Sequence, residues 1–534
     1  MDFLVHHMLR TSTERFPDKE AVVHGDDRLT YAAMWRNTAG LAEGLRSAGV
    51  ARSDRVGVLL EPSIALATSP FAISRAGGVF VPIHHALVPG QVEHIIRDCQ
   101  MKGLITDADR FAQLEAAIRQ CPSLEFVVVV GQPGTAKQNG SIARYEYESF
   151  CVRQSDDSLG DRAIDKDLAA ILYTSGSTGK PKGVMLSHAN VVAGASIVSD
   201  YLGITETDRI LAVLPFSFDA GLNQLTTSIQ QGATCVVMKF LFAREIVAML
   251  HKERITGLAG VPSLWNLLAQ DSSQLHAKPS RQLRYITNTG GALPLNVLQR
   301  LRELLPATQV FLMYGLTEAF RSTYLPPEEL DRRPTSIGKA IPNTEILVIN
   351  AEGKRCGAGE IGELVHRGPT VSLGYWGHPE LTARVLRPHP SPPPGLGDAE
   401  KVCYSGDLVR MDDDGFLYFV GRRDNLIKSS GFRISPNEVE EALCKAGRLR
   451  EAAVIGLPDP ALGQFIKAFV VAHEGASLDT DVLLEETTAL LPRHMVPKVV
   501  EVLRELPKTS SGKIDYPELR RREKSVLEVS SSAS

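Results

Sequence analysis

Leu168-Ala-Ala-Ile-Leu-Tyr-Thr-Ser-Gly-Ser-Thr-Gly-Lys-Pro-Lys-Gly-Val184 is the stretch on which the reading of this chain turns. Its first half is an apolar run without alternation, the pattern of a strand buried on both faces. Its second half packs glycines, hydroxyl residues and lysines into one turn. Backbone N–H groups of such a loop converge on an anion, and hydroxyls and lysines add donors. It is not a Walker A loop: Pro181 follows Gly179-Lys180, and Thr174 stands five positions before Gly179 where that motif needs glycine. A flexible polar loop has the same composition, and it is the full string Tyr173–Val184 that argues for an anion cradle.

Working outward, short apolar runs at 55–60, 79–83, 233–238, 255–261 and 283–289 are separated by stretches of helical periodicity. Strands spaced by helix-length segments predict parallel sheets covered by helices, an α/β fold. Residues 168–175 are expected to lead through the glycine-rich turn into the helix beginning near Ala189. The chain has 534 residues, enough for three or four compact units at about 150 residues each. With 43% hydrophobic and 22% charged residues and a net charge of −4, it is a globular composition without a basic stripe for nucleic acid. No apolar run reaches the length of a membrane span, and the N-terminus has no secretory pattern. The seven dispersed cysteines form no CxxC pair, so a cytoplasmic location and no disulfide framework are expected.

Composition shifts twice. The proline-rich Leu386–Leu396 is expected to be a surface loop outside any sheet. Past it, charges cluster within 416–434, and from about Asp424 to Tyr516 strand and helix resume as a small separate domain. The polar tail, about 524–534, is expected to fray.

Six further strings follow the first in order: Thr289-Gly-Gly-Ala292, Tyr314-Gly-Leu-Thr-Glu318, Tyr404-Ser-Gly-Asp407, Gly421-Arg-Arg-Asp424, Lys428-Ser-Ser-Gly-Phe-Arg433 and Pro507-Lys-Thr-Ser-Ser-Gly-Lys513. Together the seven resemble the adenylate-forming superfamily of acyl-CoA synthetases, luciferases and peptide-synthetase adenylation domains, over about Leu29 to Asp515. The resemblance implies a large N-terminal domain of mixed and parallel sheets flanked by helices (1–421), a hinge (422–425) and a small mobile α+β lid (426–534). It also implies the reaction: a carboxylic acid and ATP form an acyl-adenylate with Mg²⁺, and the acyl group then passes to a thiol, CoA or the phosphopantetheine of a carrier protein.

By the same resemblance Thr174, Ser175, Gly176, Ser177, Thr178, Gly179 and Lys182 hold the β,γ-phosphates. Gly290, Gly291 and Ala292 border adenine, Tyr314 stacks on it, and Asp407 with Arg422 holds the ribose. Thr317 contacts the α-phosphate and Glu318 coordinates the metal. Lys513 bridges carboxylate and phosphate as the catalytic lysine. Asp424 is the pivot, and Lys428 and Gly431 serve the thiol tunnel. On residue chemistry alone, Lys513 reads as a solvated charge and Asp424 as a surface acid paired with Arg422 or Arg423.

The acid pocket departs from many acyl-CoA synthetases. In Leu214-Pro-Phe-Ser-Phe-Asp-Ala-Gly-Leu-Asn223, Ser217-Phe218 stands where many carry histidine, and Phe-Asp is similar to amino-acid adenylation domains whose aspartate holds an ammonium. Two readings of Asp219 stand side by side: an ammonium partner, or the N-cap of the following helix. Phe218 would gate the pocket, with Asn223, Gly260, Thr287, Thr289, Met313, Arg321 and Ser322 lining it. Arg321 either neutralises Asp219 or meets a second acidic group on the substrate. No long apolar channel is evident, so a small or polar acid is expected. Asp157-Ser158-Leu159 resembles a phosphopantetheine attachment triplet without a carrier-sized helical bundle, so any carrier would be a separate chain. The histidines at 84, 85 and 188 are read as structural or surface. The strings Thr317–Glu328 and Phe218–Leu225 are similar to ligases associated with exosortase systems. A nucleotide-binding remnant without catalysis is disfavoured by Lys182, Glu318, Asp407 and Lys513.

Overall fold

The computed structural model describes residues 1–131, 142–151, 160–175, 181–270, 273–276, 280–392, 395, 400–429, 432–445, 449–459, 463–473, 478–509 and 512–523. Two large sheets form the N-terminal domain. In the eight-stranded one, Leu168–Ser175 lies beside Val79–Pro82, and six neighbouring strands from 168–175 out to Ala143–Glu146 run parallel. The nine-stranded sheet has six central parallel strands, among them Gly257–Gly260, Tyr285–Asn288 and Gln309–Leu316, and antiparallel strands at both edges. The apolar runs identified above are these strands.

Between the two sheets lie the helices Tyr31–Ser47, Ile64–Ala76, His188–Leu202 and Asp219–Gln231, which share one core with strands of both. Ile64–Ala76 is buried along nearly its whole length, as a helix apolar on all sides must be. Outer helices such as Pro89–Asp98 and Leu295–Leu304 cover the far faces. A five-stranded antiparallel sheet built on Lys401–Met411 and a five-stranded mixed sheet built on Leu449–Asp459 and Gly463–Ala472, with Val499–Val502 parallel to Gly463–Ala472, follow in sequence. The last strand of the former, Leu417–Arg422, and the first of the latter, Ile427–Ser429, are joined by the 3-10 turn Arg423–Asn425.

Two expectations need correction. The stretch before His188 is not only a turn: Pro181–Ser187 is a strand antiparallel to Leu168–Ser175, so a hairpin, not a strand–loop–helix, carries the glycine-rich string. Buried Val184 and Leu186, two positions apart and so on one face, hold it. Leu386–Pro388 is likewise a short edge strand paired to Lys401–Cys403, where proline is tolerated because no further strand needs its missing N–H. Residues 524–534 and the triplet at 157–159 lie outside the described residues. No helix of the described residues is long and apolar enough to cross a membrane, and all seven cysteines are free thiols.

The N-terminal helix Val5–Arg15 is tied down by a contact that local sequence does not announce. His6 Nε2 and His7 Nε2 reach the two oxygens of Asp161 at 3.0 and 2.9 Å. Burial pushes the His6 imidazole down to about 4, and it pushes His188 and His366 to about 3. An unfolded chain takes up protons on these rings near their ordinary 6.5, whereas the folded chain resists until far lower pH. The unfolded state thus binds more protons in that window, and stability must fall as pH drops from about 6.5 toward 4. Urea midpoints at pH 7, 6 and 5 are expected to decline in that order; a flat or rising series would contradict this.

Candidate active site

The glycine-rich string is built on the hairpin above, with Thr174 opposite Lys182 and Ser175 opposite Pro181. Gly176, Ser177, Thr178, Gly179 and the side chain of Ser175 lie outside the described residues, as does Gly431. Lys182 Nζ stands 6.0 Å from the centre of the Tyr375 ring, and Tyr375 belongs to the short strand paired with Val184–Met185. The Tyr375 hydroxyl donates to Glu318 Oε1 at 2.5 Å. Lys182, Tyr375 and Glu318 therefore form one continuous wall, and Tyr375 is a member that the motifs did not include.

Glu318 and Thr317 occupy the two-residue turn between Gln309–Leu316 and Ala319–Leu325, since Leu316 pairs with Ala319. Such a turn holds both side chains at the tip of a rigid hairpin. Glu318 Oε2 has no protein partner among the described residues. One free carboxylate oxygen suits Mg²⁺, which takes one or two carboxylates and completes its shell with water and phosphate.

Tyr314, at the start of the same hairpin, does more than present a ring. Its hydroxyl donates to Asp407 Oδ2 at 2.5 Å, and its ring stacks on buried His366 at 6.1 Å between centres. Asp407 faces Arg422 across paired strands. Arg422 Nε is 3.0 Å from Asp407 Oδ1, an ion pair without hydrogen-bond alignment, so that buried oxygen still lacks a donor. Burial pushes the Asp407 carboxyl above its ordinary value, opposed by Arg422, the Tyr314 hydroxyl and Lys513. A buried acceptor with an open lone pair is what a sugar hydroxyl requires.

Lys513 comes to the same cleft from the C-terminal domain. Its turn is closed by Gly512 N–H donating to the Thr509 carbonyl at 2.9 Å and by Thr509 N–H donating to the Lys513 carbonyl at 2.7 Å. Gly512 has φ +78°, and a Cβ there would lie 3.0 Å from Ser263 Oγ. A Cβ on Gly290, itself at φ +81°, would lie 3.1 Å from Lys513 Cε. Both positions have a positive φ that L side chains rarely adopt, and glycine also leaves room for the Lys513 side chain. Gly291 and Ala292 continue the loop, held by Asn288 Nδ2 donating to the Gly291 carbonyl at 2.9 Å. Thr317, Glu318, Tyr314, Asp407, Arg422, Gly290 and Lys513 thus meet from residues more than two hundred positions apart.

Other expected residues are elsewhere. Lys428 is exposed on Ile427–Ser429 and does not join this cluster. Asp424 lies in the 3-10 turn, where Arg422 faces Asp407 and Arg423 faces Glu363; its side chain lies outside the described residues.

A small cavity of about 20 Å³ lies between the helices His188–Leu202 and Asp219–Gln231 and the strands that carry Thr287, Met313 and Arg321. Of the residues named for the acid pocket, Asn223, Thr287, Met313 and Arg321 line it, together with Gln224 and Thr227. Thr227 lies one turn from Asn223 on the same helix face, a signal available in the sequence. Thr289 touches the cavity through Arg321, whose Nη1 donates to Thr289 Oγ1 at 3.0 Å. Ser322 is buried, its hydroxyl donating to the Ala319 carbonyl at 3.1 Å. Gly260 instead makes room for Trp265, which a Cβ would meet at 2.6 Å. The N-cap reading of Asp219 is overturned: Phe218 is the cap residue, without a side-chain bond, and Asp219 is already inside the helix. Asp219 is half-buried and, among the described residues, paired with nothing. Phe218 packs on the His84 ring at 5.6 Å, a neighbour not expected from the sequence.

The residues of the separate motifs are thus gathered about one cleft. The family described as AMP-binding enzyme matches residues 9–376, and its C-terminal domain matches 438–513; the chain belongs to the AMP-binding enzyme family. Feruloyl-CoA synthase of Amycolatopsis sp is 33% identical over 95% of this chain and 96% of that one. Bacitracin synthase 3 of Bacillus licheniformis is 30% identical over 99% of this chain, which spans 8% of that protein. The crystal structure of ATP-bound MatB from Rhodopseudomonas palustris has a TM-score of 0.87 at 27% identity, covering 98% of this chain and 100% of that one.

Proposed function

We propose that the protein is a cytoplasmic AMP-forming acid–thiol ligase that activates a small carboxylic acid with ATP and transfers it to CoA. The observation that carries this reading is the meeting of Lys513 with the Gly290 loop, beside Asp407 and Glu318, in one cleft. Asp407 Oδ1 accepts from the ribose, held by Tyr314 and Arg422, and the Gly290–Ala292 loop borders the base. Thr174, Lys182 and the adjoining loop bind the terminal phosphates, and Thr317 the α-phosphate. Glu318, fixed by Tyr375, would hold Mg²⁺, which supplies charge neutralisation at the phosphates when bound.

The acid's carboxylate attacks the α-phosphorus and pyrophosphate leaves. Lys513 brings a point charge to the two oxygens that approach each other, a preorganised stabilisation of developing charge. Residues 1–421 then serve as the binding body, 422–425 as a hinge and 426–534 as a lid. Rotation at Asp424 withdraws Lys513 and presents the Lys428–Gly431 face, where the thiol displaces AMP. ATP–pyrophosphate exchange, followed by AMP release on adding CoA, tests the scheme.

A second reading is favoured by one observation, the unpartnered half-buried Asp219. It would receive a substrate ammonium, and the acceptor would be a phosphopantetheinyl carrier on a separate chain. Under this reading Asp219→Ala is expected to lower exchange with amino acids about 100-fold while sparing acids without an amino group, the cost of stranding a charged partner. Equal effects on both classes would remove the ammonium role.

A further inference from the structure

The acid cavity holds a positive charge that nothing in its walls balances. Arg321 is 3% exposed. Its one side-chain hydrogen bond goes to the neutral Thr289 hydroxyl, its Nε is buried without an acceptor, and no carboxylate pairs with it among the described residues. Asp219, the internal partner that the sequence offered, forms no ion pair with it. Two more buried atoms of the same cavity lack partners, Asn223 Nδ2 and Gln224 Oε1.

The backbone is strained at the same residue. Arg321 has φ +64° within a strand, and it fits there because Gly315 faces it: a Cβ on Gly315 would lie 3.0 Å from Arg321 Cα. Non-glycine residues occupy this region rarely, and such outliers cluster at ligand sites. A guanidinium keeps its proton in any protein environment. One water in the cavity could accept from Nε, but it leaves the charge unneutralised, and a buried charge without a counter-ion is strongly unfavourable.

We infer that the acid activated here carries a second anionic group, a carboxylate, and that Arg321 is the residue that receives it. The inference rests on the ligase reading above and specifies its substrate class. Arg321 Nε and Asn223 Nδ2 supply two donors for the distal carboxylate, and Gln224 Oε1 is left to accept from a hydroxyl or amino group on the chain between. Because the cavity is small and Val198, Leu202 and Ile210 share its lining with Arg321, the chain must be short. Arg321 is thus a specificity-determining residue that takes no part in the phosphoryl chemistry.

The test is ATP–pyrophosphate exchange by the full chain with succinate, glutarate and adipate against butyrate, pentanoate and hexanoate, and with aspartate and glutamate against alanine and 2-aminobutyrate. Diacids are expected to exceed matched monoacids in kcat/KM by about 100-fold or more, because the monoacid leaves a buried donor set unpaired. Arg321→Met is expected to abolish that preference, bringing the diacids down to the level of the matched monoacids, and Arg321→Lys to retain part of it. Monoacids exchanging as well as diacids in the parent protein would overturn the inference, with no variant needed. So would Arg321→Met lowering both series by one factor, the mark of a purely structural role. Exchange with monoacids alone sinks the Arg321 assignment and leaves the ligase reading standing; no exchange with any acid removes both.

Discussion

Lys513→Ala is expected to reduce ATP–pyrophosphate exchange by about 100-fold or more, the loss of one preorganised charge worth about 3 kcal/mol. The same variant should convert a supplied acyl-adenylate to thioester at close to the parent rate. The asymmetry follows from where the lysine sits. Its turn is docked on Val261 and Ser263, at the start of the helix Pro262–Ala269, and on the Gly290 loop, within electrostatic reach of Asp407, which is the arrangement for joining acid and nucleotide. In the proposed second step the lysine has swung away and has nothing to lose. Fold loss cannot mimic this outcome, because Lys513 is exposed at the tip of a turn held by backbone bonds. Equal impairment of both half-reactions would contradict the assigned role.

Asp424→Pro is expected to do the reverse, sparing exchange and lowering thioester formation by about 100-fold. The 3-10 turn Arg423–Asn425 is the only covalent path between the sheet ending at Arg422 and the sheet beginning at Ile427. Proline fixes φ and removes an N–H, so it restricts the backbone rotation that a pivot at this position must make. Rapid-quench measurement of each half-reaction separates the two rates. Unchanged thioester formation would place the pivot elsewhere.

Much of this architecture is legible in the sequence, because its central strands are continuous apolar runs. Val56–Leu59, Ala169–Leu172 and Ile286 are buried on both faces and announce themselves. The strand Pro181–Ser187 escaped because its opening Pro-Lys-Gly reads as loop, and only the partner strand makes it otherwise. Leu386–Pro388 escaped for the same reason. At the site, the motifs named Tyr314 and Asp407 separately, but their hydrogen bond spans 93 positions, and no local pattern encodes a contact of that range. Tyr375 on Glu318 and the His6–Asp161–His7 tie are of the same kind. Asp219 shows a finer limit: composition marked a helix start within one residue, and one residue decides between a cap and a free carboxylate. Arg321 was readable as a pocket residue, whereas the absence of its counter-ion was not.

The most direct test of the account is the fate of the nucleotide. Purified protein given ATP, Mg²⁺, CoA and the short diacid and amino-acid panel should release AMP and pyrophosphate in equal amounts, with acyl-thioester matching AMP one for one. Release of ADP in place of AMP, or no AMP with any acid of the panel, would contradict it.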